Sequence, residues 1–354
     1  MDLADRPTTT DPHGGLSWQI DDAIVRLRLW GTEYAHPLPE PPTPQLPLKL
    51  GSAPSCEVQL HDKAGRLSRE HAMLVPEPTG WEIRDLGSKN GLWVEGAATT
   101  RSTLQAGVKI QLGALTLVAE SLKFIGLRSL VCRFLGWAPD RQADVDEALQ
   151  NLRDAAMQRT PLLLIGDDDL APVAARIHRT TLGQNAPFVP SDGDDVDAAI
   201  AAATSGTLCV RVRRGANSAA IADAVRGVEI TSRPRLVRCA GNASDAAATS
   251  TRPGRLAVIS LPPLSARKDE ILRIVHETAQ DVVKELGAPS SGFTMHDLER
   301  LQAIQFSGMA DLEDSVRRII VMRIYGVTAG AKRLGLTHSS LSEWARSKNR
   351  MLVT

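Results

Sequence analysis

Ser68, Arg69 and His71 share one short polar run, and Ser88, Lys89 and Asn90 share a second, twenty positions further on. A hydroxyl, two cations and a carboxamide on neighbouring loops suit the gripping of a phosphate and the peptide backbone around it, through charge-assisted and amide hydrogen bonds. None of these residues stands where a nucleophile with its base, or a metal-ligand set, requires it. The chemistry they point to is recognition, not bond breaking.

Around these runs, from Trp18 to about Ser121, the chain reads as short strands. Trp81-Glu82-Ile83-Arg84 alternates, as does the later part of Ile24 to Leu29, and turn residues recur at Gly51, Pro54, Gly65, Gly80, Gly96 and Gly107. Frequent turns between short alternating runs predict an all-β sandwich. Six prolines between Pro37 and Pro47 read as an extended excursion from it. Residues 1–16, polar and without an export pattern, read as a disordered leader.

The period then changes. Residues 123–139 are expected as a linker, and Ala143 to Arg159 as an amphipathic helix with Val145, Leu149, Leu152 and Ala156 on one face. Strands are expected at 161–165, 187–189, 207–212, 235–239 and 256–259, with helices between them at 170–182, 195–203 and 218–228. That alternation predicts a parallel sheet covered on both faces. Beyond Ala266 the chain reads as helical to its end.

The two runs, read with Leu50-Gly51-Ser52, Asn90-Gly91 and Leu104 to Gly113, resemble the forkhead-associated (FHA) domain. The resemblance implies that Ser68 donates its hydroxyl to a phosphothreonine phosphate. Ser52, Arg69, Ser88 and Lys89 then line the phosphate and its neighbours, and the Asn90 amide holds the ligand backbone. Gly51, His71 and Gly91 are implied as structural, His71 bracing the loops from inside and the glycines supplying turns. The family's arginine after the first glycine is here Ser52, so one phosphate-gripping charge is missing.

Leu162 to Asp167, Ala203 to Leu208 and Arg255 to Ile271 resemble the AAA+ ATPase domain of sigma-54-dependent (NtrC-like) activators. The candidate phosphate loop, Gly166-Asp167-Asp168-Asp169-Leu170, has no lysine and offers three carboxylates to a polyanion. Each such like-charge contact costs about 4 kcal/mol at roughly 4 Å and an effective dielectric near 20. Val210-Arg211-Val212 replaces the family's acidic pair, and Gly308 to Leu312 departs from its second sensor. A degenerate, ATPase-dead domain without cofactor or metal is expected, and no enzyme activity. The three aspartates read as helix caps.

Val327 to Arg346 resembles the Fis-type helix-turn-helix that ends such activators. Ala331 and Leu334 face inward, Gly335 makes the turn, and Thr328 and Thr337 cap the two helices. The implied DNA contacts are Lys332, Arg333, His338, Ser339, Ser342, Arg346 and Lys348, with Arg350 beyond. Lys plus Arg and Asp plus Glu balance at 41 each, yet from Arg317 onward eight cations face the single acid Glu343. A basic terminus on a neutral chain is the compositional hint to nucleic acid. Val316, Ile319, Ile320 and Ile324 are expected to form a homodimer face.

The fold class expected is thus multidomain: an all-β FHA sandwich, an α/β AAA+-like parallel sheet, then a helical lid and a helix-turn-helix. The boundaries are 1–16 leader, 17–122 sandwich, 123–139 linker, 140–264 α/β domain, 265–310 lid and 311–354 helix-turn-helix. The expected partners are a phosphothreonine protein or peptide and double-stranded DNA. The alternative is a phosphothreonine-dependent adaptor in a Ser/Thr kinase or secretion complex, without DNA binding. Cys56, Cys132, Cys209 and Cys239 form no paired motif and read as small buried hydrophobes of a reducing cytoplasm. No apolar run reaches membrane-spanning length.

Overall fold

The computed structural model describes residues 20, 22–39, 46–78, 80–158, 160–212, 218–229, 232–242 and 256–347. The expected leader and most of the proline-rich excursion lie outside these residues. By its internal contacts the chain divides into two compact units. One holds residues 1–165 and 173–259, and the other holds 166–172 and 260–354.

The first unit begins with a β-sandwich. One sheet has the order β2-β1-β11-β10-β7-β8, formed by Ala35–Pro37, Ile24–Leu29, Leu115–Ser121, Lys109–Leu112, Leu92–Val94 and Ala97–Thr99. The other has the order β4-β3-β5-β6-β9, formed by Val58–Gln59, Leu48–Gly51, Ala72–Glu77, Gly80–Asp85 and Arg101–Thr103. Alternation decides which side chains enter the core. Trp81 and Ile83 of β6, with Leu50, Leu74, Leu92, Ile110 and Leu112, are all almost fully buried.

Where a linker is expected at 123–139, the chain instead continues as helix α1 (Leu122–Leu135). Ser121 caps it by accepting from Phe124 N at 3.1 Å, and helix α2 (Gln142–Met157) follows. The correction has a polar cause. Arg28 of β1, read as one residue of an alternating strand, is wholly buried and bonds Glu120 of β11 at 2.6 Å and Asp146 of α2. Asp146 also accepts from the Gly31 backbone at 2.6 Å. Nearby, Arg128 of α1 pairs with Glu33 at 2.8 Å. Burial alone would lower the Arg28 pKa, but the hydrogen bond that Arg28 donates to Asp146 and the charges of Glu120 and Asp146 outweigh it and raise the value. The helical hairpin is therefore bolted to the sandwich by buried charge.

A second fastening lies at the β7–β8 turn. Glu95 adopts a positive φ of 51°, uncommon for a residue with a side chain. Its carboxylate accepts from Lys109 N at 2.6 Å and pairs with Arg153 of α2 at 3.1 Å.

The same unit carries the expected parallel sheet. Its strands are β12 (Leu162–Ile165), β13 (Phe188–Ser191), β14 (Thr207–Val212), β15 (Arg235–Ala240) and β16 (Ala257–Ser260), in the order β13-β14-β15-β12-β16. The pairs β13–β14, β14–β15 and β12–β15 are parallel. Helices α3 (Ala171–Leu182), α4 (Val196–Ala202) and α5 (Ser218–Gly227) connect the strands. All four cysteines are buried and in no disulfide, and Cys209 and Cys239 on neighbouring strands have their sulfurs 3.6 Å apart.

The second unit is helical: α6 (Ile271–Leu286), α7 (Met295–Ala303), α8 (Met309–Arg333) and α9 (His338–Ser347). Helix α8 breaks at Gly326, which has φ 72° and ψ 173°. Of the expected dimer face, Val316, Ile319 and Ile320 have no exposed surface on a helix that packs against α6, and Ile324 is half-buried. Those first three positions are core. No helix among the described residues is long and apolar enough to cross a membrane.

Candidate functional site

The phosphate-type loops are assembled around one imidazole. His71 is fully buried. Its Nδ1 accepts from the Ser68 backbone N–H at 3.1 Å, so Nε2 carries the proton and donates to the Gly91 carbonyl, also at 3.1 Å. Its backbone N–H donates to Leu50 O at 2.8 Å and its carbonyl accepts from Leu86 N at 3.0 Å. One residue thus ties the end of β3 to both polar loops.

Gly91 has φ +70° and supplies the expected left-handed turn. Gly51 serves differently from expectation. A Cβ there would lie 2.1 Å from the Arg69 carbonyl, so close backbone approach, not turn geometry, demands glycine.

Ser68 Oγ accepts from the Lys89 backbone N–H at 3.0 Å, which leaves its own O–H free to donate outward. Asn90 Nδ2 donates to the Arg66 carbonyl at 2.6 Å, fixing the carboxamide while its Oδ1 stays open to a ligand N–H. The side chains of Arg69 and Lys89 are exposed and have no partner among the described residues. These four residues form one polar face with a donor, two exposed cations and an acceptor.

Two other expected contacts turn away. The Ser88 hydroxyl donates to Asp85 Oδ1 at 2.6 Å, and its N–H donates to Asp85 Oδ2 at 3.1 Å, so Ser88 closes an Asx turn inside its loop. Ser52 aims its N–H and its hydroxyl at the Ser68 carbonyl, at 3.1 and 3.4 Å. It buttresses the loop and adds no charge. Two exposed residues were not singled out from the sequence. Arg66 stands in the Ser68 loop, and Trp93 donates through Nε1 to the Asn90 carbonyl at 3.3 Å. The outward phase of Trp93, one step after buried Leu92, was the available signal for it.

At the loop after β12, Asp169 accepts from Ala171 N at 3.1 Å at the start of α3. Asp168 Oδ2 accepts from Ala310 N at 2.8 Å at the start of α8. Gly308 permits this, since a Cβ there would lie 2.3 Å from the Asp168 carboxyl carbon.

In the C-terminal helices, Ala331, Leu341 and Ala345 are buried with Met322, and Leu334 packs against them. Gly335 turns at φ +68°, and Thr337 Oγ1 accepts from Ser340 N at 3.0 Å, capping α9. The break at Gly326, and not a cap at Thr328, starts the preceding segment. Lys332, Arg333, His338, Ser339 and Arg346 are exposed. Ser342, expected outward, is buried, because α9 is rotated so that Leu341, Ser342 and Ala345 face the packing. Arg333 lies over the Tyr325 ring at 3.9 Å. Lys348 and Arg350 lie outside the described residues.

Residues 48–113 match the FHA domain family, so the sandwich carries an FHA domain. Solved structures of FHA domains are similar to it. One comes from a structural and functional analysis of phosphothreonine-dependent FHA domain interactions; it is 24% identical, over 28% of this chain and 97% of that one, with a TM-score of 0.25. The FHA domain of the CT664 protein from Chlamydia trachomatis is 28% identical, over 27% and 95% of the two chains, with a TM-score of 0.23. EmbR of Mycobacterium tuberculosis, in complex with a low affinity phosphopeptide, is 23% identical over 28% of this chain and 24% of its own, with a TM-score of 0.25. No curated protein matches the chain.

Proposed function

We propose that this chain is a phosphothreonine-reading regulator whose FHA domain recognises a phosphorylated partner protein. One observation carries the reading. Ser68 takes a backbone N–H from Lys89 and keeps its hydroxyl proton for a phosphate oxygen, beside exposed Arg69 and Lys89 and the open Oδ1 of Asn90. A charge-assisted hydrogen bond contributes about 1.5–3 kcal/mol. Arg69 and Lys89 offset part of the charge absent at Ser52. The test is fluorescence anisotropy of the full chain with a degenerate phosphothreonine peptide library and its dephosphorylated counterpart. The reading requires binding to the first alone.

The parallel sheet and the helices after it are proposed as a degenerate AAA+-like core that spaces or transmits and breaks no bonds. In support, the loop after β12 has carboxylates where a phosphate loop offers bare amides. Asp169 occupies Ala171 N and Asp168 occupies Ala310 N. Measurable ATP hydrolysis would overturn this part.

The exposed Lys332, Arg333, His338, Ser339 and Arg346, next to a capped turn, support a DNA-binding terminus and a transcriptional output. The adaptor reading, without DNA, draws on two observations: Ser342 is buried and the Arg333 guanidinium is stacked on Tyr325. Salt-dependent DNA binding that falls when Lys332 and Arg346 become alanine separates the two readings.

A further inference from the structure

The helical unit holds a cavity that phosphothreonine recognition does not use. Its volume is about 520 Å³, and it is lined by residues 264–271, which lead into α6, and by residues 302–306, where the chain leaves α7. That size falls within the roughly 300–1,000 Å³ usual for small-molecule sites. Part of the lining is apolar: Leu264 and Ile271 are buried, and Ile304 and Phe306 are half-buried. The polar part includes Lys268, Asp269, Gln302 and Gln305.

The charges in that lining come from one run, Arg267-Lys268-Asp269-Glu270, which the fold divides in two. The backbone leaves helical geometry at Arg267 (φ −127°, ψ 33°), and the buried guanidinium donates through Nε to Glu270 Oε2 at 2.7 Å. The outer two charges thus answer each other. The inner two, Lys268 and Asp269, are exposed on the cavity and have no ion pair or side-chain hydrogen bond among the described residues. Successive residues of a helical turn project in different directions, so these two are not placed to pair with one another. The carboxamides of Gln302 and Gln305 are likewise without a partner among the described residues.

We propose that this cavity binds a free α-amino acid with a large apolar side chain. The site stands apart from the phosphothreonine reading and does not depend on it. Lys268 takes the ligand carboxylate and Asp269 the ligand ammonium, by charge-assisted hydrogen bonds. Leu264, Ile271, Ile304 and Phe306 receive the side chain. Spacing selects the zwitterion. Neighbouring Cα atoms are about 3.8 Å apart, so the two protein charges are rooted side by side. They match a ligand whose own opposite charges sit on one carbon. A polyanion would find a single cation here and set its charge against Asp269, and a polyamine would meet the same conflict at Lys268.

The test is calorimetric titration of the full chain with L-leucine and L-phenylalanine. Two blocked ligands accompany them: leucinamide, which lacks the carboxylate, and N-acetyl-leucine, which lacks the ammonium. Saturable binding of the free amino acids at millimolar concentration or below is expected, with each blocked form roughly tenfold weaker or worse. Lys268→Gln is expected to erase the discrimination against leucinamide and keep that against N-acetyl-leucine, and Asp269→Asn to do the reverse. Both positions are exposed, so each variant is expected to melt as the wild type does. No saturable binding of either free amino acid overturns the proposal. So does equal binding of the blocked forms, or a discrimination that neither variant changes.

Discussion

The backbone N–H of Lys89 donates to Ser68 Oγ at 3.0 Å, joining the two polar loops through a side-chain oxygen. An accepted hydrogen bond polarises the hydroxyl and orients its proton away from the protein. Ser68→Ala removes both halves of this arrangement. Phosphopeptide affinity is expected to fall about ten- to a hundredfold, the worth of one charge-assisted hydrogen bond. Calorimetric titration measures the loss, and an unchanged melting curve confirms that the fold survives.

Ser52 sits where a stronger phosphate grip belongs by resemblance. Its backbone N–H, not its side chain, makes the shorter bond to the Ser68 carbonyl, so Ser52→Arg retains that contact and adds a guanidinium. Affinity for the phosphothreonine peptide is expected to rise about tenfold or more, at the low end of a charged hydrogen bond. Binding of the unphosphorylated peptide is expected to stay unchanged in the same titration.

The ion pairs under the sandwich predict a different kind of loss. Asp146→Ala leaves buried Arg28 with one carboxylate partner, Glu120, beside the Leu29 and Thr32 carbonyls, and strips the Gly31 N–H of its acceptor. Removing one partner of a buried pair costs about 3–5 kcal/mol. Chemical denaturation should show that loss, and a fragment ending at Ser121, which lacks α2 altogether, is expected to be destabilised at least as much. A fragment as stable as the full chain would contradict the role given to Arg28.

How far was this legible beforehand? Short alternating runs and the 3.6-residue period of Val145, Leu149, Leu152 and Ala156 marked strands and helices to within a few residues, because local pattern reports local structure. The site loops were legible as well, since Ser68, His71 and Asn90 stand in a spacing the family shares. Arg28 was not. Its burial depends on Asp146, 118 positions away, and no periodicity encodes a tertiary charge pair. Segment 123–139 failed for the same reason, its helix being fastened by Glu33 and Gln142. The face of Val316, Ile319 and Ile320 was seen as apolar, but sequence cannot say whether such a face meets a second copy or the chain's own α6. Ser342 was misplaced by a rotation of one residue on α9, where Leu341 and Ala345 set the buried stripe.

His178 of α3 predicts a pH dependence. Its Nδ1 lies 2.8 Å from Thr207 Oγ1 and its Nε2 3.0 Å from the Ala186 carbonyl. Burial lowers its pKa, helped by the charges of Arg235 and Arg179 and opposed by the Ala186 carbonyl. The unfolded chain therefore takes up the proton first, near the ordinary value of about 6.5. The stability contributed by neutral His178 is complete above that pH and is lost as pH falls toward the lowered folded value, by at most about 1.4 kcal/mol per pH unit. Denaturant midpoints measured from about pH 8 to pH 5.5 should decline, and a His178→Gln variant should show a shallower decline over this range.

The central claim is that phosphate is read at the junction of Ser68, Lys89 and Asn90. The most direct measurement is amide chemical-shift mapping by nuclear magnetic resonance on the full chain, titrated with a phosphothreonine peptide and with its unphosphorylated twin. The Ser68, Arg69, Lys89 and Asn90 amides are expected to move with the first peptide and stay still with the second. Equal movement with both peptides, or shifts confined to other surfaces, would contradict it.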